Sequence, residues 1–224
     1  MIGIISATRD SEEKFWSESA LGISLLRLSG DRRIRACICY GNARGLSDVY
    51  NDAIAAAADE DSLVFVHDDV WIDDYFLVDR VETGLSTYDV IGVAGNRRRV
   101  ENQPGWAFVN DRFTWDEKSN LSGSIAHGPT PFGDVANFGP GPSECELLDG
   151  VFLAAKTATL RKHRLTFDSR FKFHFYDLDF CRSARALGLR LGTWPICLTH
   201  KSAGSFDGEQ WRLAYAAYLN KWQS

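Results

Sequence analysis

Short apolar runs alternate with amphipathic stretches over the first 95 residues of the chain. Met1–Ala7, "IRACICY" and Leu63–Val66 are rich in β-branched residues and predict strands, and "YDVIGVAG" predicts a fourth. Between them, residues 15–28 and the segment "GLSDVYNDAI" carry apolar residues at helical spacing, and Asp10 or Ser11 precedes the first of these helices as a cap. This alternation predicts a mostly parallel central sheet covered by helices on both faces.

The pattern changes from Asn96 to Glu146, a segment that contains five of the six prolines. We expect a long loop region there, with room for short strands. Regularity returns with "LLDGVFLAAK" and "LGTWPICLTH", which predict strands, and with "DLDFCRSARALGLR", which predicts a helix ending at Gly188. The last stretch, "GEQWRLAYAAYLNKW", predicts an amphipathic helix whose aromatic face packs on the core rather than on a membrane or a second copy.

Composition narrows the functional class. With 224 residues, 45% of them hydrophobic, the chain is long enough for one buried core, and its net charge of −5 offers no basic field for nucleic acid. The five cysteines form no C-x-x-C pair, which indicates free thiols in a reducing compartment. We see no leader peptide and no apolar run of membrane-spanning length, so we expect a cytoplasmic protein; peripheral attachment to the inner face of the membrane stays open.

The stretch "LVFVHDDVWI" places His67, Asp68 and Asp69 at the carboxyl end of the third predicted strand. Ligands bind at that edge of α/β sheets, and adjacent carboxylates suit Mg²⁺ or Mn²⁺ shared with a diphosphate. A solvated turn or a helix cap is the alternative interpretation. Asp73 and Asp74, just downstream, are interpreted as structural acids in the first turn of a helix.

Three further segments carry candidate chemistry. Asp177 begins a predicted helix, where a carboxylate is favoured by the helix dipole but could also act as a general base. His200 follows an apolar strand and precedes a loop of small residues reaching Ser205, so it could bind a metal beside a phosphate, although a lone histidine is more often structural. Asn42 and Arg44 precede a helix N-terminus, where anions bind readily.

These motifs, in this order, resemble the family-2 glycosyltransferases of the GT-A fold, in the branch whose metal motif is His-x-Asp. The resemblance rests on the N-terminal strand and on "NARGLSDVYNDAI", "VFVHDDV", "VIGVAG", "LLDGVFLAAK", "FDSRFKFHFYDLDFCRSARALGLRLG" and "THKSAGS". It implies one domain, with a nucleotide-sugar-binding half over residues 1–95, a variable loop region over 96–148 and an acceptor and catalytic half over 149–224.

The resemblance also implies an activity. It is the inverting transfer of a sugar from a nucleotide-diphosphate donor to a hydroxyl of a glycan or glycoconjugate, as in polysaccharide biosynthesis, with Mn²⁺ or Mg²⁺ as cofactor. The resemblance alone favours a UDP-sugar over a GDP-sugar or a dTDP-sugar as the donor. A homodimer is left open.

Individual roles follow from the matched positions. Asp69 matches the metal-binding acid of the motif, and His200 matches a late histidine that helps to hold metal or diphosphate. Asp68 takes the middle position of the motif, and His67 stands where the family more often has an acid that contacts ribose or metal.

On the other side of the expected site, Asp177 matches the catalytic base, and Tyr176 replaces the glutamate that usually precedes it. Asp149 and Gly150 match the acceptor-side position under the sugar. The remaining positions match residues that hold the nucleoside, and they are Thr8, Arg9 and Asp10.

Two rival functions remain. A sugar nucleotidyltransferase usually has a glycine-rich loop after the first strand, and "SATRDSEEK" contains no glycine. A non-catalytic module that binds sugar nucleotides or glycans on the same fold is favoured by the departures at His67 and Tyr176. Hydrolysis of the donor in the presence of Mn²⁺ separates this module from an active transferase.

Overall fold

The computed structural model describes residues 1–59, 61–202, 204 and 206–222. The strands are β1 (Ile2–Ala7), β2 (Ile34–Cys39), β3 (Ser62–Val66), β4 (Val70–Ile72), β5 (Val90–Gly92), β6 (Ala94–Asn96), β7 (Leu121–His127), β8 (Asp134–Gly139), β9 (Glu144–Cys145), β10 (Leu147–Leu148), β11 (Phe152–Lys156), β12 (Leu191–Thr193) and β13 (Leu198–His200). The helices are α1 (Glu12–Glu18), α2 (Ala20–Arg27), α3 (Leu46–Ala56), α4 (Leu77–Thr87), α5 (Thr157–Lys162), α6 (Tyr176–Ala186) and α7 (Glu209–Trp222).

The larger of two sheets has the strand order β2-β1-β3-β11-β5-β12-β9. Strand β1 is parallel to both β2 and β3, and β5 is parallel to β12. Strand β11 runs antiparallel to β3 and β5, and β9 runs antiparallel to β12. The sheet is therefore mixed but mostly parallel: five of its seven strands run in one direction and only β11 and β9 oppose them, which confirms the prediction.

A second sheet has the order β10-β6-β7-β13-β4, with β8 paired to β7. Three segments predicted as single strands are each two strands that belong to different sheets: β5 and β6 in "YDVIGVAG", β10 and β11 in "LLDGVFLAAK", and β12 and β13 in "LGTWPICLTH". The flanking strands are all short and apolar, so each pair resembles one longer strand, although Asp149-Gly150 and Pro195 interrupt the second and third segments.

The region from Asn96 to Glu146 contains an antiparallel hairpin of β7 and β8, in which His127 pairs with Asp134. Strand β9 follows it. It is therefore more ordered than the predicted loop. A buried carboxylate anchors its first part, since Asp116 accepts hydrogen bonds from Asn96 Nδ2 at 3.0 Å and Arg98 Nη2 at 2.6 Å. Glycine and small polar residues in both strands of the hairpin weaken the sequence signal for strands.

The two faces of the larger sheet pack into separate cores, as the alternation of side chains in a strand requires. Leu63 and Phe65 belong to a core with residues of α3, α5, α6 and α7. Val64 and Val66 belong to the other core, with residues of α1, α2 and α4. Helices therefore cover both faces, which confirms that part of the prediction.

The helix boundaries follow local capping. Ser11 caps α1 through its side chain, which accepts from the Lys14 amide at 3.3 Å. Ser19 ends α1 and caps α2, so the predicted first helix is two short helices. Helix α4 begins at Leu77, so Asp73 and Asp74 precede it and are not first-turn acids; Asp74 instead accepts from the Phe76 amide at 2.9 Å.

Helix α7 packs on the domain's own core, as its aromatic pattern predicts. Trp211 and Tyr218 are 6% and 2% exposed, and the Tyr218 ring lies 5.2 Å from that of Phe175. Its carboxyl end is attached to α6 through Asp179. No helix in the described part of the chain is long and apolar enough to cross a membrane.

Asp179 should be a stabilising link between α6 and α7. It is buried and accepts from Lys221 Nζ and Trp222 Nε1, both at 2.9 Å. We expect Asp179→Ala to lower the free energy of unfolding by roughly 2 kcal/mol, because two hydrogen bonds to a buried charge are lost. Urea unfolding measures this loss.

The matched control is Asp207→Ala, which removes an ion pair to Arg212 whose side chains are 57% and 67% exposed. Exposed pairs contribute little, so this change should stay within about 0.5 kcal/mol. Equal stability losses in the two variants would contradict the structural role of Asp179.

Candidate functional site

The carboxyl ends of β1, β2 and β3 meet at one edge of the larger sheet, because these strands are parallel. The loops that follow β1 and β2 are bonded to each other: the Asn42 amide donates to the Thr8 carbonyl at 2.7 Å, and the Gly41 amide to the Asp10 carbonyl at 2.9 Å. His67 follows β3 directly. The predicted donor-side residues therefore share an edge with the histidine-acid motif.

His67, Asp69 and His200 form a candidate metal centre. One ligand atom from each lies within 4.8 Å of the others, and all three residues are partly buried. Pairing of β13 with β4 sets His200 opposite Val70, and His200 Nε2 lies 3.2 Å from Asp69 Oδ1. The sequence assigned Asp69 and His200 to a metal, and the structure adds His67 to them.

Charge in this centre is balanced between Asp69 and His200. Burial opposes ionisation of Asp69, but the hydrogen bond and charge of His200 outweigh it and hold the pKa of Asp69 at about 2. Burial likewise opposes the charged form of His200, yet the hydrogen bond and charge of Asp69 raise the pKa of His200. Burial lowers the pKa of His67, so its ring is neutral.

Asp177, the predicted base, lies in the first turn of α6 and remains partly exposed. Its Oδ2 accepts from the Gly150 amide at 3.0 Å. Burial and the neighbouring charge of Asp149 raise the pKa of Asp177 to about 7, against the opposing effect of backbone amides at the helix start. A carboxyl group of this kind can take a proton near neutral pH.

The turn at Asp149 and Gly150 joins the base to the metal centre. The Gly150 carbonyl accepts from the Tyr176 hydroxyl at 2.8 Å, and the same hydroxyl oxygen lies 2.8 Å from His67 Nε2. A Cβ on Gly150 would lie 2.5 Å from the Tyr176 hydroxyl and 2.8 Å from the Asp177 Cβ, so a larger residue does not fit. Hydrogen bonds therefore connect His67 to Asp177 through Tyr176 and Gly150.

Aromatic side chains border this turn. Trp106 Nε1 donates to Asp149 Oδ2 at 2.7 Å, and Trp115, whose ring centroid lies 6.4 Å from that of Trp106, is 54% exposed. Phe173, also 54% exposed, stacks on the His67 ring at 6.1 Å. No sequence signal connects Trp106 to Asp149, which lie 43 residues apart; the abundance of aromatics in the segment was the only indication.

Several residues predicted to bind the donor instead face solvent or contact neighbouring residues of the protein. Arg9 is exposed, Asp10 pairs with Lys14 at 2.6 Å, and Arg44 pairs with Asp52 at 2.8 Å. Asn42 Oδ1 accepts from the Arg44 amide at 3.0 Å, so its side chain shapes the loop.

The other members of the motifs have backbone or loop contacts. Asp68 is partly buried and is not in the metal group, and its backbone carbonyl accepts from the Leu21 amide at 3.1 Å. In the expected phosphate loop, Ser202 Oγ lies 3.2 Å from His200 Nε2. Ser205 lies outside the described residues.

Comparisons with known proteins identify the fold. No family model matches the chain, and no curated protein matches it. The catalytic domain of Drosophila β1,4-galactosyltransferase 7, solved with xylobiose, superposes with a TM-score of 0.52 at 9% identity, over 95% of this chain and 78% of that one. A Pyrobaculum calidifontis mannosyltransferase, solved with GDP-Man and Mn²⁺, superposes with a TM-score of 0.50 at 14% identity, over 97% of this chain and 61% of that one. The chain has the GT-A fold of these glycosyltransferases.

Mn²⁺ binding should become tighter as the pH rises. The metal must displace the proton that Asp69 stabilises on His200, and the pKa of His200 is raised above its usual value of 6.5. We expect the dissociation constant to fall by up to about tenfold per pH unit below that pKa. Electron paramagnetic resonance of free Mn²⁺, titrated at several pH values, measures it.

The control is His200→Asn, which removes the competing proton and should flatten the pH dependence while weakening binding. Wild-type affinity that does not change between pH 5.5 and pH 8, or that falls, would contradict the proton competition.

Proposed function

We propose that this chain is a metal-dependent, inverting glycosyltransferase. It moves a sugar from a nucleotide-diphosphate donor to a hydroxyl of a glycan or glycoconjugate. The observation that carries the proposal is a hydrogen-bonded connection on a GT-A fold. It joins a group of two histidines and an aspartate, through Tyr176 and Gly150, to the Asp177 carboxyl group, whose pKa is about 7.

The donor atoms of the metal centre fit a divalent cation. His67, Asp69 and His200 would hold it, and two imidazole nitrogens favour Mn²⁺ over Mg²⁺, which prefers oxygen ligands alone. When bound, the metal supplies positive charge to the diphosphate that leaves the sugar. The ion pair of Asp69 and His200 keeps both side chains in place before that, at 3.2 Å from each other.

Asp177 acts as the general base. Its raised pKa makes the carboxylate a stronger base, which can remove the proton of an acceptor hydroxyl as the new bond forms. Attack in a single displacement, from the face of the sugar opposite the diphosphate, inverts the anomeric centre. General-base assistance of this kind is typically worth about 10²–10⁴-fold in rate.

The donor and the acceptor occupy different parts of the proposed site. The hydrogen-bonded loops after β1 and β2 hold the nucleoside, with Thr8, Arg9, Asp10, Asn42 and Arg44. Asp68, the middle residue of the histidine-acid motif, contributes to the donor side. The acceptor lies against Asp149 and Gly150, where the exposed face of Trp115 is available to a sugar ring. The family resemblance alone favours UDP over GDP or dTDP as the nucleotide, and it makes a polysaccharide or glycoconjugate the acceptor class.

A non-catalytic sugar-nucleotide module on the same fold is the second candidate. The observation in its favour is that Asp69 and His200 satisfy each other without a cation. Hydrolysis of a nucleotide sugar in the presence of Mn²⁺ distinguishes the two, because a module that only binds releases no sugar.

A thermal-shift screen with UDP, GDP and dTDP, each with and without Mn²⁺, tests the donor site. We expect one nucleotide to raise the unfolding temperature only when Mn²⁺ is present, since a ligand at about 100 times its dissociation constant adds about 2.7 kcal/mol to stability. Asp69→Ala should abolish the metal-dependent part. Asp31→Ala, which changes an acid ahead of β2 at the opposite edge of the sheet, should not. A metal-dependent shift that survives in Asp69→Ala counts against this site.

Asp177→Asn tests the base. We expect Mn²⁺-dependent nucleotide binding to persist while the rate of donor hydrolysis falls about 10²–10⁴-fold. In the wild type, kcat/KM should rise with pH through about 7, because the carboxylate is the active form and burial raises its pKa. Wild-type turnover in the variant would remove Asp177 from the mechanism.

A further inference from the structure

The Tyr176 hydroxyl lies between two groups of the candidate site and is fully enclosed by protein. Its oxygen is 2.8 Å from the Gly150 carbonyl oxygen and 2.8 Å from His67 Nε2, and the residue is 3% exposed. A phenol has one proton to donate and lone pairs to accept with. The two neighbours therefore cannot both receive the proton of Tyr176.

The Gly150 carbonyl determines the direction in which the Tyr176 hydroxyl donates its proton. Gly150 O can only accept, so the Tyr176 proton must be donated to it. The phenol oxygen then accepts, and the hydrogen bond to His67 requires the ring to donate from Nε2. In the neutral ring of His67 the other nitrogen, Nδ1, is left with the lone pair, and that is the atom able to bind a metal.

We propose that Tyr176 is a positioning residue that fixes His67 as the Nε2–H tautomer and so makes Nδ1 its metal-binding atom. The inference rests on the metal centre proposed above. Metal-binding histidines commonly donate their second ring N–H to a protein acceptor, which sets the ring's orientation and tautomer. Here the acceptor is a tyrosine oxygen, which is suited to the role only because its own proton is taken by Gly150.

The same turn of α6 positions both the His67 ring and the proposed base, Asp177. Tyr176 and Asp177 are consecutive residues in the first turn of α6, and each holds one polar group of Gly150: Tyr176 the carbonyl and Asp177 the amide. A displacement of this turn would release both bonds together. The orientation of the metal ligand and that of the base are thereby set by the same peptide units.

Tyr176→Phe removes the acceptor and retains the ring. We expect Mn²⁺ affinity, measured on the full chain by electron paramagnetic resonance, to fall about 10–100-fold, the usual effect of losing such a partner. Tyr215→Phe is the matched control, because the Tyr215 hydroxyl also donates to a backbone carbonyl, that of Asn102 at 2.6 Å, but on α7. It should leave the affinity unchanged.

A double-mutant cycle separates positioning from a general structural role. A carboxylate has no tautomer to fix, so in a His67→Asp background the further change Tyr176→Phe should alter Mn²⁺ affinity less than about twofold. An equal loss in both backgrounds, or no loss in either, overturns the proposal.

Nitrogen-15 NMR of the wild-type His67 ring gives a direct answer that requires no variant to fold. The Nε2–H tautomer supports the proposal, and the Nδ1–H tautomer overturns it. Absence of Mn²⁺ binding by the wild type would overturn the proposed metal centre, and the NMR result would still decide which tautomer the His67 ring adopts. The same spectrum of Tyr176→Phe decides whether Tyr176 fixes it, since an unchanged pure Nε2–H ring in that variant overturns the proposal.

Discussion

The peptide groups of Gly150 hold the candidate site together. The residue lies where the chain leaves β10 of the smaller sheet for β11 of the larger one, so both sheets determine its position. Its amide is bonded to Asp177 and its carbonyl to Tyr176, which reaches His67. Any side chain there would collide with the Tyr176 hydroxyl. The geometry of the site therefore depends on a glycine that takes no part in the chemistry.

In the proposed site, electrostatics would couple the binding of a cation to the binding of the donor. The charge of Asp149 contributes to the raised pKa of Asp177, and the same charge acts on His67 and His200 in the candidate metal centre. Without a metal, the hydrogen bond and charge of Asp69 raise the pKa of His200 and so favour a proton on its ring beside Asp69. A diphosphate that approached these carboxylates alone would be repelled. A divalent ion that replaces the His200 proton would make the same pocket attractive to it, which couples metal binding to donor binding.

The sequence was most informative where one physical rule acted locally. Strands β1 to β3 are short apolar runs, and because their parallel ends share an edge, the placement of His67 at the same edge as the loops that follow β1 and β2 could be predicted. The hairpin of β7 and β8 was missed since its strands contain glycine and small polar residues. The contacts of Trp106 with Asp149 and of Tyr176 with His67 join residues 43 and 109 positions apart, and no local sequence pattern links positions so distant. The sequence predicts Asp73 and Asp74 in the first turn of a helix because it gives no sign of the short strand β4. In the structure, both residues follow β4 and precede α4.

The most direct test of the central claim is a crystal structure of the chain grown with Mn²⁺ and UDP, with anomalous diffraction recorded at the manganese edge. The account predicts one strong anomalous peak coordinated by His67, Asp69 and His200, with diphosphate oxygens completing its shell and the nucleoside over the loops that follow β1 and β2. A manganese peak away from these three residues, or a nucleotide bound on a face remote from Asp177, would contradict it.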